Sequence, residues 1–113
     1  MAHATFVHDG ETIDYTPGAA VAAGDVVVIG ELVGVAKTPI AANALGALAV
    51  KGVFDFEKAT GVGTAISAGA NCYWDDTNNV ATTSDGAGAN KLIGKCVTAA
   101  ADADATVRVR MSQ

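Results

Sequence analysis

The 113 residues carry seven Lys and Arg against twelve Asp and Glu, a net charge of −5, and half are apolar, with 24 alanines but only four leucines. That balance disfavours nucleic acid as a partner, because a phosphate backbone is bound through clustered cations that displace its counterions, and the largest basic group in the sequence is Arg108 with Arg110. No stretch approaches the ~18 apolar residues of a membrane span, and Met1 to Phe6 lack the charged and apolar regions of a signal peptide, so a soluble protein made in the cytoplasm, with no membrane partner, is expected.

Thr5 to Thr16 reads as a β-hairpin about Asp9-Gly10, a dipeptide that accepts the positive φ angles of a type I′ turn, with Phe6 facing Ile13 and His8 facing Glu11. Pro17-Gly18 ends it. Asp25 to Ile29 is β-branched and continuous, as in a strand covered on both faces; Gly30-Glu31 turns it and Leu32 to Lys37 returns. Pro39 to Gly46 is expected to be loop with a short helix. Ala47 to Glu57 resumes as a strand with a bulge at Gly52, which sets Lys51 in mid-strand. After a flexible joint at Thr60 to Gly63 come short strands at Ala65-Ile66, Asn71 to Trp74, Val80 to Thr83 and Lys91 to Thr98, split by polar runs at 75–79 and 84–90. Ala105 to Met111 alternates Val107, Val109 and Met111 with Thr106, Arg108 and Arg110, the pattern of a half-buried strand with a charged outer face. Short strands at this spacing, with no βαβ rhythm, predict an all-β fold, a small barrel or sandwich.

One phrase occurs twice. Val21 to Val28 followed by Gly34-Val35-Ala36 is echoed by Ile66 to Tyr73 followed by Gly94-Lys95-Cys96, the first glycine recurring 45 residues on and the second 60. The difference places about 15 inserted residues at Asp75 to Asn90, and insertions of that kind become surface loops. The expected organisation is one domain over residues 1–113: an N-terminal arm or hairpin at 1–16, a first β unit at 17–58 and a second at 59–113, the latter carrying the loop 75–90. Each glycine is read as a turn opening a strand. Alanine buries little area, so a lone subunit gains little free energy per ordered residue; a homo-oligomer, most simply a closed ring, would supply the missing burial.

Chemical motifs are weak. Lys91 to Lys95 resembles a P-loop only superficially: Ala89 stands where its first glycine belongs, Cys96 follows the lysine instead of Ser or Thr, and no helix follows. Gly61-Val62-Gly63 lacks the last glycine of a dinucleotide fingerprint. His3 and His8 have no converging partners for a metal, Asp75 to Asn79 lacks the glycine and terminal glutamate of a calcium loop, and Cys72 and Cys96 read as buried thiols in a reducing compartment. No catalytic, cofactor or metal site is expected. Tyr73-Trp74, beside the inserted loop, suit a core or an interface.

Ile13-Asp14-Tyr15-Thr16, Val21 to Val27, Val33 to Ala36, Gly52-Val53-Phe54, Gly69 with Tyr73-Trp74-Asp75, and Ile93-Gly94-Lys95 before a Val-x-Val strand together resemble the tailed-phage capsid cement or head decoration family over nearly the whole chain. The second copy departs from the pattern at Gly69-Ala70-Asn71, since the first copy has Asp25 directly after its glycine. The resemblance implies a structural, non-enzymatic protein without cofactor, seated as a homotrimer on the exterior of an expanded head, with the phage major capsid protein as partner. On that reading Ala2, His3, Ala4, Thr5, Phe6 and Val7 form an arm that adds to an edge of the capsid protein, and Tyr73, Trp74, Arg108 and Arg110 belong to the subunit interface. The alternative is a glycan- or surface-binding module displayed on a particle, with Tyr73, Trp74 and the loop 75–90 as its site.

Overall fold

In the computed structural model, which describes residues 3–113, nine strands form two antiparallel sheets. β1 (Thr12–Tyr15), β2 (Val26–Ile29), β3 (Leu32–Val35) and β4 (Gly46–Ala49) form one sheet in the order β1-β4-β3-β2. β5 (Gly52–Glu57), β6 (Asn71–Asp75), β7 (Val80–Thr82), β8 (Lys91–Thr98) and β9 (Thr106–Met111) form the other in the order β5-β9-β8-β6-β7. The sheets pack as a sandwich. A single parallel bridge, Lys58 to Ala81, draws the ends of the second sheet together without closing it into a barrel.

The hydrogen bonds repeat as the glycines do. Val26 pairs with Val35 and Val27 with Gly34; 45 and 60 residues on, Asn71 pairs with Lys95 and Cys72 with Gly94. Gly24 N–H donates to the Ala36 carbonyl at 2.6 Å, and Gly69 N–H to that of Cys96 at 2.7 Å. The bridge Val21–Ile40 recurs as Ile66–Ala100. The duplication also reaches further than the sequence phrase: Ile13-Asp14-Tyr15 lies against Leu48-Ala47-Gly46 as Phe54-Asp55-Phe56 lies against Val109-Arg108-Val107. Each repeat is therefore a whole four-stranded sheet, β1 to β4 and then β5, β6, β8 and β9. The change of sheet falls between Ala49 and Gly52, away from the expected division at 58/59. Gly30-Glu31 is a tight turn with Gly30 at φ 58°, as the first position of a type II′ hairpin requires, whereas the connection at the equivalent place in the second repeat folds β7 back onto β6.

Several local expectations fail for physical reasons. No strand forms within residues 3–11, and β1 pairs with β4 instead of closing a hairpin. An isolated two-stranded hairpin is marginal in water, while pairing with β4 packs Ile13 and Tyr15 against the cluster of Ala36, Ile40 and Leu48. Strand 47–57 is broken, because at Lys51 the chain passes from one sheet to the other, helped by Gly52 at φ 121°, where side chains are strained. β2 is half-buried at an edge of its sheet rather than covered on both faces. Pro39 to Gly46 holds no helix, since Ile40 is bridged to Val21 and Asn43 takes φ 63°. The joint at 60–63 lies inside the second repeat and is tied down: Thr64 and Ala65 N–H groups donate to Asp102 Oδ1, and the buried Lys58 ammonium donates to Ala59 O and Thr64 Oγ1.

Gly34 and Gly94 stand in mid-strand, not at turns. A Cβ on Gly34 would lie 2.9 Å from that of Leu48, and one on Gly94 only 1.9 Å from the Arg110 carbonyl oxygen. Between the sheets, Val33 and Val35 pack with Ile93, Val107, Val109 and Met111. A second cluster, Ala36, Ile40 and Leu48 with half-buried Ile13, Tyr15, Val21 and Val27, covers the other face of the first sheet. Its equivalents in the second repeat include Cys72 for Val27 and Cys96 for Ala36, so the free, buried thiols hold places that valine and alanine fill in the first. Burial, with Cys96 beside it, pushes the Cys72 thiol up to about 11.

The Val33 amide and carbonyl, left without β4 because only Val35–Ala49 pairs there, are both taken by the Gln113 side chain, at 2.7 and 2.8 Å. Gln113→Ala should therefore cost about 1–3 kcal/mol in chemical denaturation, by leaving buried backbone groups unpaired. Gly94→Ala should cost roughly 3 kcal/mol or more, while Gly18→Ala, which faces open space, should be near neutral. Because folding raises the Cys72 pKa, the stability that comes from burying its thiol is full below the ordinary value near 9 and is lost as pH rises through about 11. Ultraviolet thiolate absorbance of the folded protein should rise for this group only in that upper range.

Candidate interaction surfaces

Strand alternation decides which of the sequence-nominated residues share a surface. On β9, Val107, Val109 and Met111 are buried, which sends Thr106, Arg108 and Arg110 to the outer face of the five-stranded sheet. On β6, Cys72 and Trp74 face the core, so Tyr73 points outward on the same sheet. Tyr73, Arg108 and Arg110 are thus brought to one face. Trp74 is not. It is 5% exposed, its ring centroid lies 5.9 Å from that of Phe56, and its indole N–H donates to Asp76 Oδ1 at 3.2 Å. The paired Tyr73-Trp74 platform expected for an interface or a glycan is absent, because consecutive strand residues point to opposite faces.

The outer face gathers more cations than the sequence suggested, set beside Asp55 and Glu57 of β5. Lys95 on β8 pairs in register with Arg110 on β9, and Lys51, in the corner between the sheets, lines a shallow recess with Arg110, Val53 and Glu11. Three cations distant in sequence therefore form one strip, with Val53 56% and Val97 43% exposed near it. Linear reading missed it because positions 51, 95 and 110 are joined only by strand pairing. The Arg108 guanidinium grips Asp55 through two bonds of 2.9 and 3.2 Å and holds that carboxyl below its usual range. Both groups are about half exposed, so the pair adds little stability.

The second surface is the N-terminal segment. His3, Ala4, Thr5, Phe6 and Val7 are all exposed, Phe6 at 80% and Val7 at 81%, an unusual state for two adjacent apolar side chains. Ala2 lies outside the described residues.

A cleft of about 620 Å³ opens where the first sheet's β2 edge faces β5, lined by Asp25, Val26, Phe54, Glu57 and Trp74. No histidine or cysteine lines it. Among the described residues no three His, Cys, Asp or Glu side chains converge on a metal position. The Asp75 carboxylate is spent within its own turn: it accepts from the Thr77 and Asn78 amides and from Asn78 Nδ2, bonds that hold its pKa down. Gly94, the glycine of the P-loop look-alike, lies inside β8 with its neighbours in ladder pairing, so no phosphate-cradling turn exists there.

No curated protein and no solved structure matches the chain. A family model described as phage cement protein matches residues 7–111, which takes in both repeats, the inserted loop and the outer basic face. A duplicated all-β scaffold whose most conspicuous features are surfaces rather than a reactive cleft accords with that match, and the chain belongs to the phage cement protein family, structural proteins of the phage capsid.

Proposed function

We propose that the protein binds the exterior of a phage head as a homo-oligomer, most simply a trimer, and holds the expanded shell of major capsid protein together without catalysis. The observation that carries this reading is the unfinished burial of the first repeat. Its cluster has only Ala36, Ile40 and Leu48 fully inside, with Ile13, Tyr15, Val21 and Val27 half exposed. The second repeat puts Phe54 and Phe56 at the places of Ile13 and Tyr15, and Trp74 and Ala81 pack into the same core. A neighbouring subunit would remove the remaining apolar surface from water.

Residues Ala2 to Val7 serve in this reading as the arm that reaches the capsid protein. Phe6 and Val7 have no cover within the subunit, and an extended segment of this kind can add to a sheet edge and seat alternate side chains in pockets. Each arm need bind only weakly. An oligomer that engages several capsid subunits at once converts later contacts into intramolecular ones, raising avidity by roughly two to four decades. Tyr73, Arg108 and Arg110 are assigned to contacts between subunits, with Trp74 supporting them from beneath.

Electron microscopy of empty expanded heads mixed with the protein provides the test. Stoichiometric decoration is expected with the full chain, and loss of decoration with residues 2–7 deleted, while light scattering reports the same oligomeric mass for both. A monomer at micromolar concentration, or undiminished decoration by the deleted chain, would overturn the corresponding part of the reading.

A further inference from the structure

The two repeats differ in ways that bear on how subunits meet. At the positions of Val35 and Ala49 in the first, the second has Lys95 and Arg110. Where the first has the two-residue turn Gly30-Glu31, the second has the insert 76–90, which is exposed at 76–79 and 83–89, buries Ala81 of β7 and carries Asp76 and Asp85. The strip therefore lies on a face that is buried in the first repeat and open in the second, the insert has no counterpart in the first, and the two are opposite in sign on the same subunit. Among the described residues no ion pair joins them: Lys91, which is paired with Glu31 at 3.0 Å, donates to Gly88 O and holds the loop's base against the β2–β3 turn, and Lys95 bonds the Asn71 side-chain oxygen. Of the seven cations, Lys58 is buried and Lys91 and Arg108 are paired with carboxylates, so Lys51, Lys95 and Arg110 hold most of the free positive charge on a chain of net −5.

We infer that the loop 76–90 of one copy docks on the Lys51–Lys95–Arg110 strip of the next, so that copies associate head to tail. This contact rests on the self-association proposed above and specifies it. A second copy is the occupant that the charges favour, since the complementary acidic segment belongs to the chain itself and, among the described residues, makes no ion pair with its own strip. A contact between two different patches is heterologous, and repeated around an axis it closes a ring, whereas face-to-face pairing of strips would set like charges together.

Site-directed cross-linking tests the contact. Ala89→Cys places a thiol on the loop, and Val53→Cys places one beside the strip without altering a charge. The native thiols, 0% and 2% exposed, stay out of reach of a short bis-maleimide. A mixture of the two variants should give mixed dimers in preference to self-linked ones, and a chain with both substitutions should give linked oligomers. Adding Lys95→Glu and Arg110→Glu should lower the yield about tenfold, and raised salt should lower it progressively. Predominant Val53-to-Val53 linkage, linkage to the capsid protein instead of a second copy, or an oligomer with no loop-to-strip linkage would overturn the inference. Circular dichroism checks that each variant is folded, and the uncharged Lys95→Gln with Arg110→Gln replaces the reversal if that chain does not fold. Decoration of heads without loop-to-strip linkage would leave the proposed function standing, whereas linkage without decoration would support the contact and remove that function.

Discussion

Small side chains can exclude water only when the backbones carrying them come close together. The chain meets that condition with glycines inside strands. At Gly94, β8 lies so near β9 that a Cβ would overlap the Arg110 carbonyl oxygen, and at Gly34, β3 is pressed on Leu48. Close approach lets valine, alanine and cysteine fill much of a core whose buried large side chains are few, among them Leu48, Phe56 and Trp74. It also fixes the strand register, since moving a glycine by one place would drive a side chain into the neighbouring backbone. The common bonding pattern of the two repeats follows from that geometry, and so does the crossing at Gly52, where the first sheet gives way to the second.

Alternating Val107, Val109 and Met111 predicted β9 correctly because a half-buried strand has period two and nothing else in that stretch competes. The inserted loop was equally legible, its position set by the difference between two glycine spacings and its character by composition. The extent of the repeat was not. Ile13-Asp14-Tyr15 and Phe54-Asp55-Phe56 share only an aspartate between apolar residues, and their equivalence rests on pairing with β4 and β9, which are distant in sequence. A local turn signal, Asp9-Gly10, outweighed that long-range pairing in the sequence reading, as did the strand propensity of 47–57 across a change of sheet. The basic strip was hidden for the same reason. Arg108 and Arg110 were visible as neighbours on one strand, whereas Lys51 and Lys95 join them only through tertiary structure.

The cysteines show how an internal copy can serve as a control. Seen alone, two buried thiols on adjacent strands invite a redox reading. Their equivalents, Val27 and Ala36, have no such chemistry and hold the same places in the first repeat's core. The core therefore needs only compact apolar groups there, and the high pKa of Cys72 follows from burial in that role rather than from activation.

The same comparison separates scaffold from surface. Where the repeats agree, in the paired glycines, the bridges Val21–Ile40 and Ile66–Ala100 and the apolar positions Val27, Ala36 and Leu48 matched by Cys72, Cys96 and Val109, the residues answer to folding, because two sequences have kept one geometry. Where they disagree, the surroundings differ too: Val35 and Ala49 are buried, whereas Lys95 and Arg110 stand on the exposed outer face of the second sheet, and a fifteen-residue insert that includes β7 replaces a turn that two residues complete. Exposed charge at such sites costs little stability, so it is free to follow what the surface must meet. In a phage cement protein that is a neighbouring molecule, and the half-open first repeat, the exposed Phe6 and Val7 and the charged second repeat are three distinct places at which such a neighbour can be engaged.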